Sequence, residues 1–162
     1  MKNRCFSVIL FLLFCGLSVL GAQSREDFSA VVDFGVDLET LANLAGEGNG
    51  FFAGDTPLVI LTGSVASRIV LRPGPEDYLS ELELVDGRWL GLEAVKTYRC
   101  FVQFSGPEYV TFIPARRSRR PPPEEIPLNA TILVVGKPAG LRDSGAGKEA
   151  IIQGYFVRVL EE

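Results

Sequence analysis

Residues 58–71 read LVILTGSVASRIVL, a run too long for an ordinary strand and without helical spacing. Leu61, Val65, Ile69 and Leu71 alternate onto one face, and Gly63 offers a point for a sharp bend. A long strand that bends can pair with different neighbours along its two halves, which is what a small closed barrel requires. The residues that follow keep a β pattern. After Arg72-Pro73-Gly74-Pro75, Leu79 to Val85 alternates cleanly. Asp86-Gly87 then predicts a tight hairpin returning through Arg88-Trp89-Leu90-Gly91-Leu92. A third segment, Val95 to Phe104, is expected to turn at Gly106-Pro107 and continue through Tyr109 to Ile113. Ala130 to Val135 and Ala150 to Leu160 are the last strands, joined by a glycine-rich turn from Gly136 to Gly147. Strand-helix alternation is absent, so a doubly wound parallel sheet is excluded and a β-sandwich with an immunoglobulin-like connection is the main rival.

Upstream, Phe28 to Val36 (FSAVVDFGV) reads as a strand. Asp37 follows as the cap of a short helix whose Leu38, Leu41 and Ala45 share a face and whose end falls at Gly46. Gly46-Glu47-Gly48-Asn49-Gly50 is a loop. A phosphate cradle would need a helix behind it, and Phe51-Phe52 and Asp55-Thr56-Pro57 follow instead.

The first 24 residues belong to a different kind of segment. Lys2 and Arg4 precede an apolar run from Cys5 to Leu20 and the small residues Gly21-Ala22, the order of a secretory leader cleaved near 21–24. The run is shorter than a bilayer span and ends in Gln23-Ser24-Arg25-Glu26-Asp27, so no stable membrane span is expected after cleavage, and Phe14 before Cys15 argues against lipidation. The expected organisation is a leader at 1–24, a strand-helix extension at 25–57 and a barrel domain at 58–162, in a periplasmic or secreted protein.

Cleavage would remove two of the 16 basic residues and none of the 20 acidic ones, leaving an acidic chain that favours solubility over polyanion binding. Cys5 and Cys15 lie in the leader, so Cys100 has no intramolecular partner and is expected in the core. With no histidine in the sequence, the commonest general base and metal ligand is missing. No catalytic residue, metal ligand or cofactor is assigned, and the protein is expected not to be an enzyme.

The sharpest charged feature is Arg116-Arg117-Ser118-Arg119-Arg120, followed by three prolines and Glu124-Glu125. Four guanidinium groups on an extended loop can grip phosphate, an acidic headgroup or an acidic protein, with the two glutamates partly offsetting them. Trp89 beside Arg88 is a candidate stacking platform, although a single tryptophan is more often a core anchor. Phe101, Phe104, Tyr109 and Phe112 are near in sequence and read as core. Glu81 and Glu83 alternate onto what is expected to be a solvent face. Gly145-Ala146-Gly147-Lys148 resembles the end of a phosphate-binding loop, but Arg142 stands where its first glycine belongs and a strand follows. Asn129-Ala130-Thr131 fits a glycosylation acceptor and is read as a strand start.

Thr62 to Ile69, Tyr98 to Val102, Leu128 to Gly140 and Ile151 to Leu160 together resemble bacterial OB-fold domains of the tRNA-anti-like type. The family's Gly-Asp before the fourth strand is replaced by Asn129-Ala130. The chain is also similar to small exported spirochaete proteins, a likeness that carries no site residues. The resemblance implies a mainly β fold, a small OB-like antiparallel β-barrel with one short N-terminal helix. Such folds bind oligonucleotides, oligosaccharides or proteins. From address and charge, the expected function is an exported, non-enzymatic binding module of the cell envelope. It would contact an acidic protein or envelope component through Arg116, Arg117, Arg119, Arg120 and Trp89, with nucleic acid disfavoured. An OB-type oligonucleotide binder is the alternative, and a carboxylate-based hydrolase ranks below it.

Overall fold

The computed structural model describes residues 25–48, 50–52, 54–91, 94–116, 120–145 and 147–160. The leader expected at 1–24 lies outside them. Helix α1 (Arg25–Val31), the two-residue strand β1 (Val32–Asp33) and helix α2 (Leu38–Gly46) lead into β2 (Leu58–Arg72). After it come β3 (Leu79–Trp89), β4 (Val95–Ser105), β5 (Thr131–Asp143) and β6 (Lys148–Val159).

The long bent strand closes the barrel. Val59 to Ser64 of β2 pair antiparallel with Gly136 to Thr131 of β5, and Ser64 to Arg72 pair antiparallel with Val85 to Leu79 of β3. β3 pairs with β4, β4 runs parallel to β6 from Cys100↔Ala150 to Gln103↔Gln153, and β6 returns antiparallel to β5. The ring of hydrogen bonds β2-β3-β4-β6-β5-β2 is closed, which is the five-stranded barrel of the OB fold and excludes the sandwich. β2 changes partner at Ser64, which pairs with both Thr131 and Val85, and its ladder with β3 is then irregular between Val65 and Ser67 and between Val70 and Arg72. Gly63 makes room for the helix: a Cβ there would stand 2.8 Å from Leu38 Cδ1 and from the Val85 carbonyl oxygen.

Inward-facing residues alternate along every barrel strand. Leu61 and Val65, Leu82 and Leu84, Cys100 and Val102, Ile132 and Val134, and Ile152 are all buried. Helix α2 covers one end, packing against β4 and β6 with Leu38, Leu41 and Ala45 inward. Its N-cap is the expected one, Asp37 Oδ1 accepting from the Thr40 amide at 2.8 Å. Glu39 ties the helix to the hairpin, meeting the Arg88 guanidinium and accepting from the Tyr98 hydroxyl at 2.6 Å. At the other end the buried Tyr78 hydroxyl donates to the Ile113 carbonyl, and Arg68 on β2 donates to the Ile126 carbonyl at 2.8 Å.

Four local expectations are corrected. Phe28 to Val31 are the end of α1, and only Val32–Asp33 are strand; the strand stops there because the Asp33 side chain accepts from the Gly35 amide at 2.8 Å and turns the chain. Asp86-Gly87 is not the hairpin turn. The ladder continues through Asp86↔Tyr98 and Gly87↔Thr97 to Trp89↔Val95, and the loop begins at Leu90, whose amide donates to the Ala94 carbonyl at 2.7 Å. Past Gly106 the chain forms a 3-10 turn, Pro107–Val110, since proline lacks the donor a strand interior needs. Gly136 to Asp143 belongs to β5, and the Ser144 amide donates to the Gly147 carbonyl at 3.0 Å just before β6. Pro138 fits there because the β2 pairing of β5 ends at Gly136, leaving that side of the strand without a ladder partner.

Candidate nucleic-acid interface

Strand register decides which side chains share the outer surface of the β3–β4 pair. Directly opposed residues of an antiparallel ladder lie on one face, so Glu81/Gln103, Glu83/Phe101, Val85/Arg99, Gly87/Thr97 and Trp89/Val95 all point away from the core. Trp89 is 70% exposed at the far end of this stripe. Six residues of ladder, roughly 20 Å, separate it from Phe101.

At the Phe101 end the face is built from ion pairs. Arg142, from β5, places its guanidinium carbon 3.4 Å from the centroid of the Phe101 ring and its Nη1 3.0 Å from Glu81 Oε1. Gln103 Nε2 donates to the other Glu81 oxygen at 3.0 Å. Arg99 lies 3.4 Å from Glu83 and 3.7 Å from Glu149 of β6, while the Ser67 hydroxyl donates to Glu83 at 3.0 Å. These side chains and Ile69 bound an open cleft of about 420 Å³. Its lining mixes Ile69 and Phe101 with three carboxylates and two guanidinium groups, one of which rests on the Phe101 ring.

This geometry revises several sequence expectations. Glu81 is not a solvent-face carboxylate: its side chain is 6% exposed and both oxygens are engaged by Arg142 and Gln103. Trp89 is not a core anchor. Phe104 is core, as expected, and Tyr109 and Phe112 pack against the core, but Phe101 stands half-buried on the outer face. Arg116 and Arg120 are exposed, while Arg117 and Arg119 fall outside the described residues. Glu125 does not offset the arginine loop: it is buried and turns inward to the half-buried Arg68 at 2.6 Å. Asn129 takes a left-handed φ of 64° just before β5, with its amide donating to the Val65 carbonyl at 2.8 Å. Asparagine thus supplies the conformation for which glycine is usual. The residues that sequence reasoning missed are Arg99, Gln103, Arg142 and Glu149. Only the strand register, with β6 running beside β4, brings them together.

Among the described residues, no group of three or more acidic or cysteine side chains is placed to hold a metal ion. Burial pushes the Cys100 thiol well above its ordinary value, as expected for a core cysteine.

No family pattern and no curated protein matches the sequence. Among solved structures, the chain is similar to a small single-stranded DNA-binding protein from Streptomyces coelicolor, with 13% identity and a TM-score of 0.46 over 65% of this chain and 95% of that one. It is similar to the wild-type single-stranded DNA binding protein from Thermus aquaticus, with 17% identity and a TM-score of 0.44 over 64% of this chain and 50% of that one. A Plasmodium falciparum SSB in complex with ssDNA gives 14% identity and a TM-score of 0.41 over 64% of this chain and 94% of that one. The likeness extends to the barrel fold and no further. The expectation of an envelope module that grips an acidic protein, with nucleic acid disfavoured, is corrected: the solved structures similar in fold are single-stranded DNA-binding proteins, and the charge reasoning behind the expectation does not hold. That expectation leaned on net charge, a whole-molecule average, whereas Glu81, Glu83, Glu125 and Glu149 each sit against an arginine.

Proposed function

We propose that the protein binds single-stranded nucleic acid along the outer face of β3 and β4, without catalysis. One observation carries this reading: a tryptophan, a guanidinium-covered phenylalanine and a second arginine lie on one face of a barrel whose β3–β4 surface stays open to solvent. Aromatic and guanidinium planes stack bases whatever their sequence, and arginines meet the backbone phosphates. Because Arg142 stays on Glu81 and Arg99 is shared between Glu83 and Glu149, the electrostatic share is small. Each phosphate contact contributes a slope of about −0.7 in log K against log[salt].

Trp89 is the only tryptophan in the sequence, so intrinsic fluorescence reports on the site alone. Titration with a short oligothymidylate should quench it saturably. Absence of both quenching and binding at low salt would remove the reading.

Export through residues 1–24, with an extension at 25–57 before the barrel at 58–162, belongs to the same proposal. It is supported by the charge and apolar order of the leader. Intact mass of the protein recovered outside the cytoplasm tests it, with a chain beginning near Ala22 as the supporting result. The tRNA-anti-like subtype rests on the motif residues from Thr62 to Leu160 alone.

A further inference from the structure

We propose that the cleft beside Phe101 reads guanine, with Arg142 as the stacking plane and Glu149 as the carboxylate that reads the base edge. The inference rests on the single-stranded nucleic-acid reading and names the base preference of that same face.

The Arg142 guanidinium is fixed from two sides, by the Phe101 ring at 3.4 Å and by Glu81 at 3.0 Å, and the side chain remains 36% exposed. One plane is covered by the ring, so a base enters on the other and completes a ring–guanidinium–base stack. The cleft volume of about 420 Å³ lies within the range of small-molecule sites.

The carboxylates around this plane differ in what they have left to offer. Glu81 has both oxygens engaged, and Glu83 accepts from Arg99 and Ser67. Glu149 meets Arg99 only at 3.7 Å, beyond hydrogen-bond distance, and among the described residues no hydrogen bond to its side chain is found. Its side chain is 14% exposed, so a bond formed there is little screened.

An ionised carboxylate accepts two parallel N–H donors. Guanine presents N1–H and the N2 amino group side by side as two donors, with O6 beyond N1 as an acceptor suited to a cation such as the neighbouring Arg99. Adenine and cytosine offer one amino donor beside a ring acceptor, and thymine one N–H between two carbonyls, all of which set a lone pair against Glu149. The face holds three carboxylates against two arginines, so phosphate attraction does not swamp this difference.

The test compares labelled nonamers of thymidine with a central dG, dA, dC or deoxyinosine by fluorescence anisotropy. The dG oligomer is expected to bind about tenfold more tightly than the all-thymidine one, and deoxyinosine, which lacks the N2 amino group, should forfeit much of that gain. Glu149→Gln should abolish the preference, so that the dG and all-thymidine oligomers bind alike, with an unchanged thermal midpoint as the control for folding. Equal affinity for all oligomers, or a dG preference that survives Glu149→Gln, overturns the base reading and leaves the nucleic-acid reading standing. Failure of every oligomer to bind overturns both.

Discussion

The Phe104 ring occupies the space that a side chain on Gly154 would need: a Cβ there would stand 2.4 Å from Cε1 of the ring. Phe104 is fully buried and packs its other contacts against Tyr109, with ring centroids 4.9 Å apart, so it has little room to retreat. Gly154→Ala is therefore expected to destabilise the fold by about 1–3 kcal/mol through overpacking. Urea denaturation of the two proteins checks it, and an equal midpoint would mean that β6 can shift away from β4.

Trp89→Ala should weaken oligonucleotide binding by about tenfold, the usual worth of one stacked base. The ring is 70% exposed, so the thermal midpoint should stay within about a degree of the parent. Anisotropy with a labelled oligomer is the measurement, since the substitution removes the intrinsic fluorophore.

Glu125→Ala leaves the Arg68 guanidinium buried with only the Ile126 carbonyl as an acceptor. A loss of about 3–5 kcal/mol is expected, the cost of an uncompensated buried charge. The double variant Arg68→Met, Glu125→Leu should recover most of it, which equilibrium unfolding of the three chains would show.

The Thr40 amide, and more weakly Arg88, hold the Asp37 carboxyl below the ordinary carboxylate range. A depressed folded value means that the contribution is present above the unfolded pKa of about 4 and disappears as pH falls through the folded one. Asp37→Asn keeps a capping oxygen but not the titration, so its midpoint should lose less than the parent's between pH 5 and pH 2. Asp37→Ala should cost about 1 kcal/mol at neutral pH.

Burial raises the Cys100 thiol pKa, so iodoacetamide at pH 8 should leave Cys100 unmodified in the folded protein and label it fully in denaturant. Peptide mapping by mass distinguishes it from the cysteines of the leader.

The bent strand at 58–71 and the capped helix at Asp37 were legible because each rests on local chemistry: side-chain alternation in one, an oxygen facing a free amide in the other. The hairpin was misplaced for the opposite reason. Asp86-Gly87 has the composition of a tight turn, but Glu39, some fifty residues away in sequence, holds Arg88 and Tyr98 across the ladder and keeps both arms extended. The site was half legible. Trp89 stood out as the sole tryptophan, whereas Arg99, Arg142 and Glu149 carry no motif. Their meeting depends on β5 and β6 wrapping back to β4, a relation between distant strands that no window of sequence contains.

The parallel pairing of β4 with β6 joins Cys100 to Ala150, and the antiparallel pairing of β2 with β5 joins Val59 to Gly136. Neither bond row can form by zipping outward from a neighbouring turn, so the ring stays open until late in synthesis, and loop-closure entropy makes its completion slow. Until β6 emerges, the inward faces of β2, β3 and β4 have no lid. A chain of this topology therefore leaves those apolar faces uncovered until its last strand docks, a surface on which aggregation can begin.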